Sequence, residues 1–208
     1  MGAVLAMKNY MLVASICLLS GCLPIVDKLA GQPAPERVSL SAEALAGPFL
    51  LVQIPSRNVS ATLARIAVNA DVETWITADN VSLSFRQGIL VASRGLGFDL
   101  MGADATGTLA ALSGSEAGIY RHQMRYLTGD NHNTYLMAGC QMQNKGSEVR
   151  SGQTLHRLEE SCVARDNDFT NVFWVDANGR ILQSRQWVAP EIGYIDVSLQ
   201  AKRPAPDK

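Results

Sequence analysis

The sequence predicts a mainly β protein: a large antiparallel meander curled into an open or half barrel, with one short helix. Three observations carry this. Val81, Leu83 and Phe85 alternate with Ser82, Ser84 and Arg86, which is the period of a half-buried strand. The gaps between such segments are short and hold turn residues, as at Asp79-Asn80, Gln87-Gly88 and Asn178-Gly179. Turns this short join antiparallel neighbours. Midway, Asp104 to Leu112 places Leu109 and Leu112 at helical spacing, with Asp104 or Thr106 able to cap the helix.

Taken in order, the chain opens with Lys8, an apolar run from Tyr10 to Leu19, and then Leu19-Ser20-Gly21-Cys22. A basic residue, an apolar stretch and small residues before a cleavage point make a secretory signal. The run is shorter than the roughly 20 residues that span a bilayer. The Cys22 thiol is a nucleophile that can be alkylated, and the segment resembles the lipobox of bacterial lipoproteins. That resemblance implies diacylglyceryl transfer to Cys22, cleavage before it and N-acylation of the new terminus. Two or more acyl chains anchor firmly, since each buried methylene contributes about 0.8 kcal/mol. Translation starts at Met1 or Met7; Met7-Lys8-Asn9 makes the more ordinary signal. Residues 1–21 are thus read as signal peptide and 22–46 as lipidated N-terminus and flexible tether, with Pro24, Pro33 and Pro35 and no periodicity. Leu23 follows the cysteine where inner-membrane lipoproteins of enteric bacteria carry Asp, so the resemblance implies the outer membrane, periplasmic face.

Residues 47–202 form a single β domain. Strands are expected at Phe49 to Ile54, Ser60 to Val68, Val72 to Thr77, Val81 to Arg86 and Ile89 to Ser93. Gly95 and Gly97 permit a tight bend; no Lys-Ser or Lys-Thr follows, as a phosphate loop would need. After the helix, strands resume at Ile119 to Leu127 and at Thr134 to Met142, where Leu136, Ala138, Cys140 and Met142 share a face. Lys145 to Gly152 reads as a loop and Thr154 to Ala164 as a strand. Asn178-Gly179 between Phe173–Val175 and Ile181–Leu182 is a hairpin signal, because both residues tolerate positive φ. Gly193 to Gln200 closes the domain, and 203–208 is a loose polar tail.

Composition narrows the function. The chain has 208 residues and a formal charge of −1. Losing residues 1–21 removes Lys8 and leaves 17 basic against 19 acidic residues, a formal −2. A near-neutral chain without a basic run argues against nucleic acid. Of four cysteines, Cys17 leaves with the signal and Cys22 takes the lipid. Cys140 and Cys162 remain, and an oxidising compartment favours a disulfide between them; two unrelated free thiols are the alternative. Cys140 opposite Cys162 centres a hairpin on residue 151, slightly after the centre of the expected loop, so a bulge or an asymmetric turn is needed, or the two cysteines are diagonal neighbours.

Two longer blocks resemble a known family. One is Thr74-Trp75-Ile76-Thr77 with Val81 to Asp104, including Ser93-Arg94-Gly95-Leu96-Gly97-Phe98-Asp99. The other is Gln183-Ser184-Arg185-Gln186-Trp187-Val188-Ala189-Pro190, ending in Gly193-Tyr194. Together they look like the YjbF family of lipoproteins, which includes group 4 capsule lipoproteins, over roughly Leu50 to Leu199. The resemblance implies a curled antiparallel sheet, a place in exopolysaccharide or capsule assembly, and paired cysteines. It brings no catalytic residues.

Within those blocks, Trp75, Arg94, Asp99, Asp104, Arg185, Gln186, Trp187 and Tyr194 form a candidate ligand or partner surface. Aromatic faces cover the apolar side of a sugar while Arg, Asp and Gln bond its hydroxyls. The alternative is structural: Arg94 pairs with Asp99 or Asp104, and the tryptophans fill core. His122, His132 and His156 stand at no ligand spacing and read as surface or strand-edge residues, so no metal and no cofactor is expected. Glu159-Glu160 point to opposite faces of a strand. Without a glycosidase pair or nucleophile elbow, the expectation is a non-enzymatic accessory protein of exopolysaccharide or capsule export, with a polysaccharide and an outer-membrane barrel as partners. A lipid or glycolipid carrier is the alternative. A polysaccharide-modifying hydrolase, using distant carboxylates such as Asp99 with Glu191, is another.

Overall fold

The structure, a computed structural model, describes residues 46–115, 118–128, 130 and 132–201. Expectations for the signal, Cys22, most of the tether and the tail fall outside them. The described chain forms twelve strands: β1 (Phe49–Ile54), β2 (Val59–Asn69), β3 (Val72–Ile76), β4 (Ser82–Arg86), β5 (Ile89–Arg94), β6 (Asp99–Ala103), β7 (Tyr120–Leu127), β8 (Asn133–Arg150), β9 (Gln153–Ala164), β10 (Phe169–Val175), β11 (Ile181–Ala189) and β12 (Gly193–Gln200). The helix α1 (Thr106–Leu112) lies between β6 and β7, and a short 3-10 turn, Pro55–Arg57, joins β1 to β2.

All twelve strands belong to one sheet in the order β5-β4-β3-β2-β1-β12-β11-β10-β9-β8-β7-β6. It is an antiparallel meander nearly closed into a barrel. The first and last strands of the described residues, β1 and β12, pair side by side, from Phe49↔Gln200 to Gln53↔Asp196. The seam therefore falls between β5 and β6. There the Ser93 hydroxyl accepts from the Leu100 N–H at 2.9 Å, and Arg94 donates to the Leu100 carbonyl at 3.1 Å. Closure removes most of the exposed edge that an open sheet would offer to aggregation.

The alternation read from the sequence holds. Leu83 and Phe85 are buried while Ser82, Ser84 and Arg86 are half-buried. On β7, Tyr120, His122, Met124 and Tyr126 point inward and Arg121, Gln123 and Arg125 outward. The core has two clusters: a large one that includes Leu50, Leu63, Trp75, Phe169, Trp187 and Ile195, and a smaller one of Ile89, Val91, Ala105, Phe173 and Val175.

Two expectations are corrected. Lys145 to Arg150 is not loop but the end of β8, which runs 18 residues. Polar composition hides a strand whose backbone is satisfied by the β9 ladder rather than by burial. The turn is only Ser151-Gly152, and the anticipated irregularity is a bulge between Asn144 and Ser147. The segment Asp99–Ala103, not anticipated as a strand, is β6; five residues with a bulge at Leu100/Gly102 are too few to show a period.

Candidate functional site

A meander places alternate connections at alternate ends. One end holds the β1–β2, β3–β4, β5–β6, β7–β8, β9–β10 and β11–β12 turns. It is laced shut: the Ser56 hydroxyl donates to the Ile192 carbonyl at 2.6 Å, and Arg57 donates to the Leu96 carbonyl at 2.8 Å. The other end gathers the β2–β3, β4–β5, β8–β9 and β10–β11 hairpins with α1. Here the barrel opens into a cavity of about 860 Å³.

The cavity has an apolar floor of Leu50, Trp75, Phe85, Leu109, Leu112 and Leu199, and a polar rim that includes Arg65, Asp71, Glu73, Gln87, Arg180 and Gln183. Arg65 bonds Glu73 at 2.6 Å and lies over the Trp75 ring. Asp71 pairs with Arg86 at 3.2 Å. A second cavity of about 620 Å³ continues over the β10–β11 hairpin, sharing Asn178, Arg180, Leu182, Gln183 and Leu199 with the first. On its far side, Arg150 donates to Gln183 at 2.7 Å and lies over the Trp174 ring at 4.0 Å.

Helix α1 closes the lumen beneath the mouth because its two faces differ. Leu109 and Leu112 look into the cavity, while Thr108 faces a polar cluster in the interior. Gly107 lets the helix lie against β7: a Cβ there would stand 2.6 Å from the Tyr120 ring. In the cluster, Glu160 is fully buried. It accepts from Thr108 at 2.6 Å, Tyr120 at 2.8 Å and Asn171 at 2.7 Å. His122 lies 3.7 Å from the same carboxylate. Burial pushes the Glu160 carboxyl up, but contact with His122 and the bonds from Thr108 and Asn171 outweigh it and hold the group below its ordinary value. His122 is thus a core residue, not the surface or strand-edge histidine expected. Its inward place on β7 follows the parity of Tyr120 and Met124.

The disulfide between Cys140 and Cys162 sits in the same layer, joining directly opposed residues of β8 and β9 with Cα atoms 4.1 Å apart. His122, Glu160 and both sulfurs approach within 4.8 Å of one another. The sulfurs are bonded to each other, so they are not open to a metal in this state.

Of the eight residues proposed as a ligand surface, Trp75 lines the mouth, as its floor. Asp99 organises the β5–β6 bend, accepting from the Gly95 and Leu96 N–H groups at 3.0 Å each. Arg94 donates to the carbonyls of Ser93 on its own strand and Leu100 across the seam rather than to Asp99 or Asp104. Asp104 starts α1 by accepting from the Thr106 N–H at 3.0 Å, the bond that chiefly lowers its pKa. Gln186 reaches across the lumen from β11 to β5, accepting from the Leu90 N–H and donating to the Gly88 carbonyl, each at 2.9 Å. Trp187 stacks on Phe169 with centroids 4.7 Å apart. Arg185 lies over Tyr194 on the wall and 3.7 Å from Asp196; the Tyr194 hydroxyl accepts from the Thr170 N–H at 3.1 Å.

The rim residues Arg65, Glu73, Arg180 and Gln183 were not singled out from the sequence. Their signal was the position of turns: Ala70-Asp71, Gln87-Gly88 and Asn178-Gly179 fall at one end of any antiparallel meander. Glu160 had a signal too. If Cys162 faces inward to meet Cys140, the residue two before it faces inward as well.

No curated protein matches the chain. Among solved structures, the crystal structure of the hypothetical lipoprotein YmcC from Escherichia coli K12 is similar at a TM-score of 0.66 and 20% identity, covering 78% of this chain and 87% of that one. That likeness shows the same fold. The family model for the group 4 capsule polysaccharide lipoprotein gfcB, YjbF, matches residues 26–199. The chain belongs to the YjbF family of group 4 capsule polysaccharide lipoproteins.

Proposed function

We propose that this protein is a non-enzymatic accessory of capsule or exopolysaccharide assembly, held at the periplasmic face of the outer membrane by lipid on Cys22. Its barrel mouth receives a stretch of the glycan. The observation that carries this reading is the pairing of an apolar, Trp75-containing floor with a rim of hydrogen-bonding side chains, continued by a second cavity across the β10–β11 hairpin. An extended polymer needs a groove longer than one pocket, and sugars need apolar and polar contacts together. A lipid carrier would instead want an apolar lining throughout. A hydrolase would want free carboxylates facing each other, whereas Asp71 and Glu73 are each engaged by an arginine. A partner barrel of the same export system would take the glycan onward.

The test is an NMR titration of the labelled protein with oligosaccharide fragments of the capsule made by the same cells. Shifts are expected at Arg65, Gln87, Arg180 and Gln183, with none at Arg94 or Asp99 on the closed end. Shifts confined to the closed end or absent altogether, at concentrations where the glycan is in large excess, would overturn the mouth as the site.

A further inference from the structure

The outer wall of the barrel over β7, β8 and β9 carries large apolar side chains in water. Ile119 is 76% exposed, Val163 66%, Tyr135 59% and Met137 53%. Strand register makes them one patch. Arg125 stands opposite Tyr135, Gln123 opposite Met137 and Arg121 opposite Gly139, while Gly139 stands opposite Val163. Gly139 leaves the wall flat at its centre: a Cβ there would come 3.3 Å from the Ile119 side chain. Arg121 and Arg125 are exposed, and neither forms an ion pair among the described residues. No Asp or Glu occurs in 119–127, 133–141 or 161–165. The nearest acid in the β7–β8 turn, Asp130, pairs with His132 at 3.0 Å.

We propose that this wall rests on an anionic phospholipid surface. Aliphatic side chains that dip below the headgroups, a tyrosine at their level and arginines that meet lipid phosphates make the composition of an interfacial contact. Three other occupants fit worse. A second copy packing wall to wall would set arginines against arginines. A glycan would find one planar face, Tyr135, and most of the patch's exposed area in Ile119, Met137 and Val163, which offer neither a planar face nor hydrogen bonds. A strand added by a partner would find no edge, since β7, β8 and β9 are each paired on both sides. Membership in a lipoprotein family puts a bilayer within reach, and contact made through a tether is intramolecular, so a weak patch suffices. Seating this wall would lay the barrel on its side and hold the mouth beside the membrane rather than facing it or facing away.

The experiment uses the mature lipoprotein reconstituted in vesicles. A polarity-sensitive fluorophore is placed on the wall by Gln141→Cys and, for comparison, on the opposite side of the barrel by Thr62→Cys. On vesicles of phosphatidylglycerol with phosphatidylcholine, the Gln141→Cys label should move to a less polar emission and the Thr62→Cys label should not. On phosphatidylcholine alone the shift should shrink. Arg121→Gln with Arg125→Gln should weaken the seated state about 30-fold, from about 1 kcal/mol per basic residue at an anionic surface, with an unchanged melting temperature. Equal emission on both vesicle types, or equal shifts on both walls, overturns the proposal. A shift seen only in native envelope fragments assigns the wall to a protein partner and overturns it as well.

Discussion

At the closed end of the barrel, Ser56 and Arg57 reach across to backbone carbonyls of Ile192 and Leu96, and Asp99 gathers the Gly95 and Leu96 amides. At the mouth, Arg65 pairs with Glu73 and Arg150 with Gln183 along the rim, with a cavity of about 860 Å³ between the hairpins. Both ends carry polar turn residues between antiparallel strands. The difference lies in what they bond. Side chains that bond the backbone of a distant turn knit two connections together and consume their own hydrogen-bonding capacity. Side chains that bond a neighbour along the rim keep a face toward solvent, where a ligand can compete. Polar residues inside a β domain are therefore no guide to a site until their partners are known. Arg94 and Asp99, in a family-like block, serve the fold, while Arg180, in an ordinary hairpin, stands at the mouth.

The sharpest way to break that comparison is at Glu160, the most buried member of the knitted interior. Glu160→Ala leaves donors of Thr108, Tyr120 and Asn171 without their acceptor. Stripping one member from a buried charged network costs about 3–5 kcal/mol, which urea unfolding will read. The native carboxyl is held below its ordinary 4.5 despite burial. The folded state therefore takes up the proton less readily than the unfolded chain. Its stabilisation is complete above pH 4.5 and is lost as pH falls through the native value. A wild-type protein that loses stability in acid, beside a Glu160→Gln variant with a flatter profile, is the expected pair. Equal slopes would mean that Glu160 is not the titrating group.

Next in size is the disulfide. Cys140 and Cys162 are 22 residues apart, and closing a loop of that order restricts the unfolded chain by about 3 kcal/mol. Cys140→Ser with Cys162→Ser should lower the melting temperature and leave the strand signal intact. Glycan binding at the mouth should survive wherever the variant is folded, because the bridge lies in the closed interior.

Gly107→Ala probes the joint between the two regions. In an exposed helix, alanine would gain about 1 kcal/mol over glycine. Here the added methyl meets the Tyr120 ring at 2.6 Å, and overpacking of this kind costs about 1–3 kcal/mol. The net sign should be destabilising. Because α1 also supplies Leu109 and Leu112 to the cavity floor, the variant should weaken glycan binding as well. Stability lost with binding kept would show that the helix is a plug and not part of the site.

Much of this was readable in advance, for identifiable reasons. Val81 to Arg86 and Leu136 to Met142 show clean alternation because one face is core and the other water. The Asn178-Gly179 turn was legible because positive φ at Gly179 restricts the residue there. The end of β8 was not, since Asn144 to Arg150 is polar and largely exposed. The site was harder still. Trp187 looked like a sugar platform, yet it is 8% exposed and stacked on Phe169. Whether an aromatic side chain meets a ligand or a neighbour is decided by strands distant in sequence, which no local pattern encodes.

The smallest effect on stability is expected where the effect on binding should be clear. Arg180 is exposed, and its fixed contacts are through its backbone: its N–H donates to the Asp176 carboxylate and its carbonyl accepts from the Asp176 N–H, each at 2.9 Å. Gln183 is half-buried, accepts from Arg150 at 2.7 Å and donates to Ser151 at 3.4 Å. Replacing both by alanine removes two groups that both cavities share. At Arg180 such a surface change should move stability by no more than about 0.5 kcal/mol, and at Gln183 the lost bond from Arg150 should add about 1 kcal/mol. Hydrogen bonds that involve a charged group contribute about 1.5–3 kcal/mol each, so losing even one from a glycan complex should weaken it by about tenfold or more. The double variant should therefore melt within a few degrees of the wild type, bind capsule oligosaccharide at least tenfold more weakly, and lower surface polysaccharide at normal protein level. If it instead unfolds early while the remaining folded fraction binds normally, the rim is knitted into the fold as the closed end is. The contrast between the two ends would then fail at the point where it was meant to identify a site.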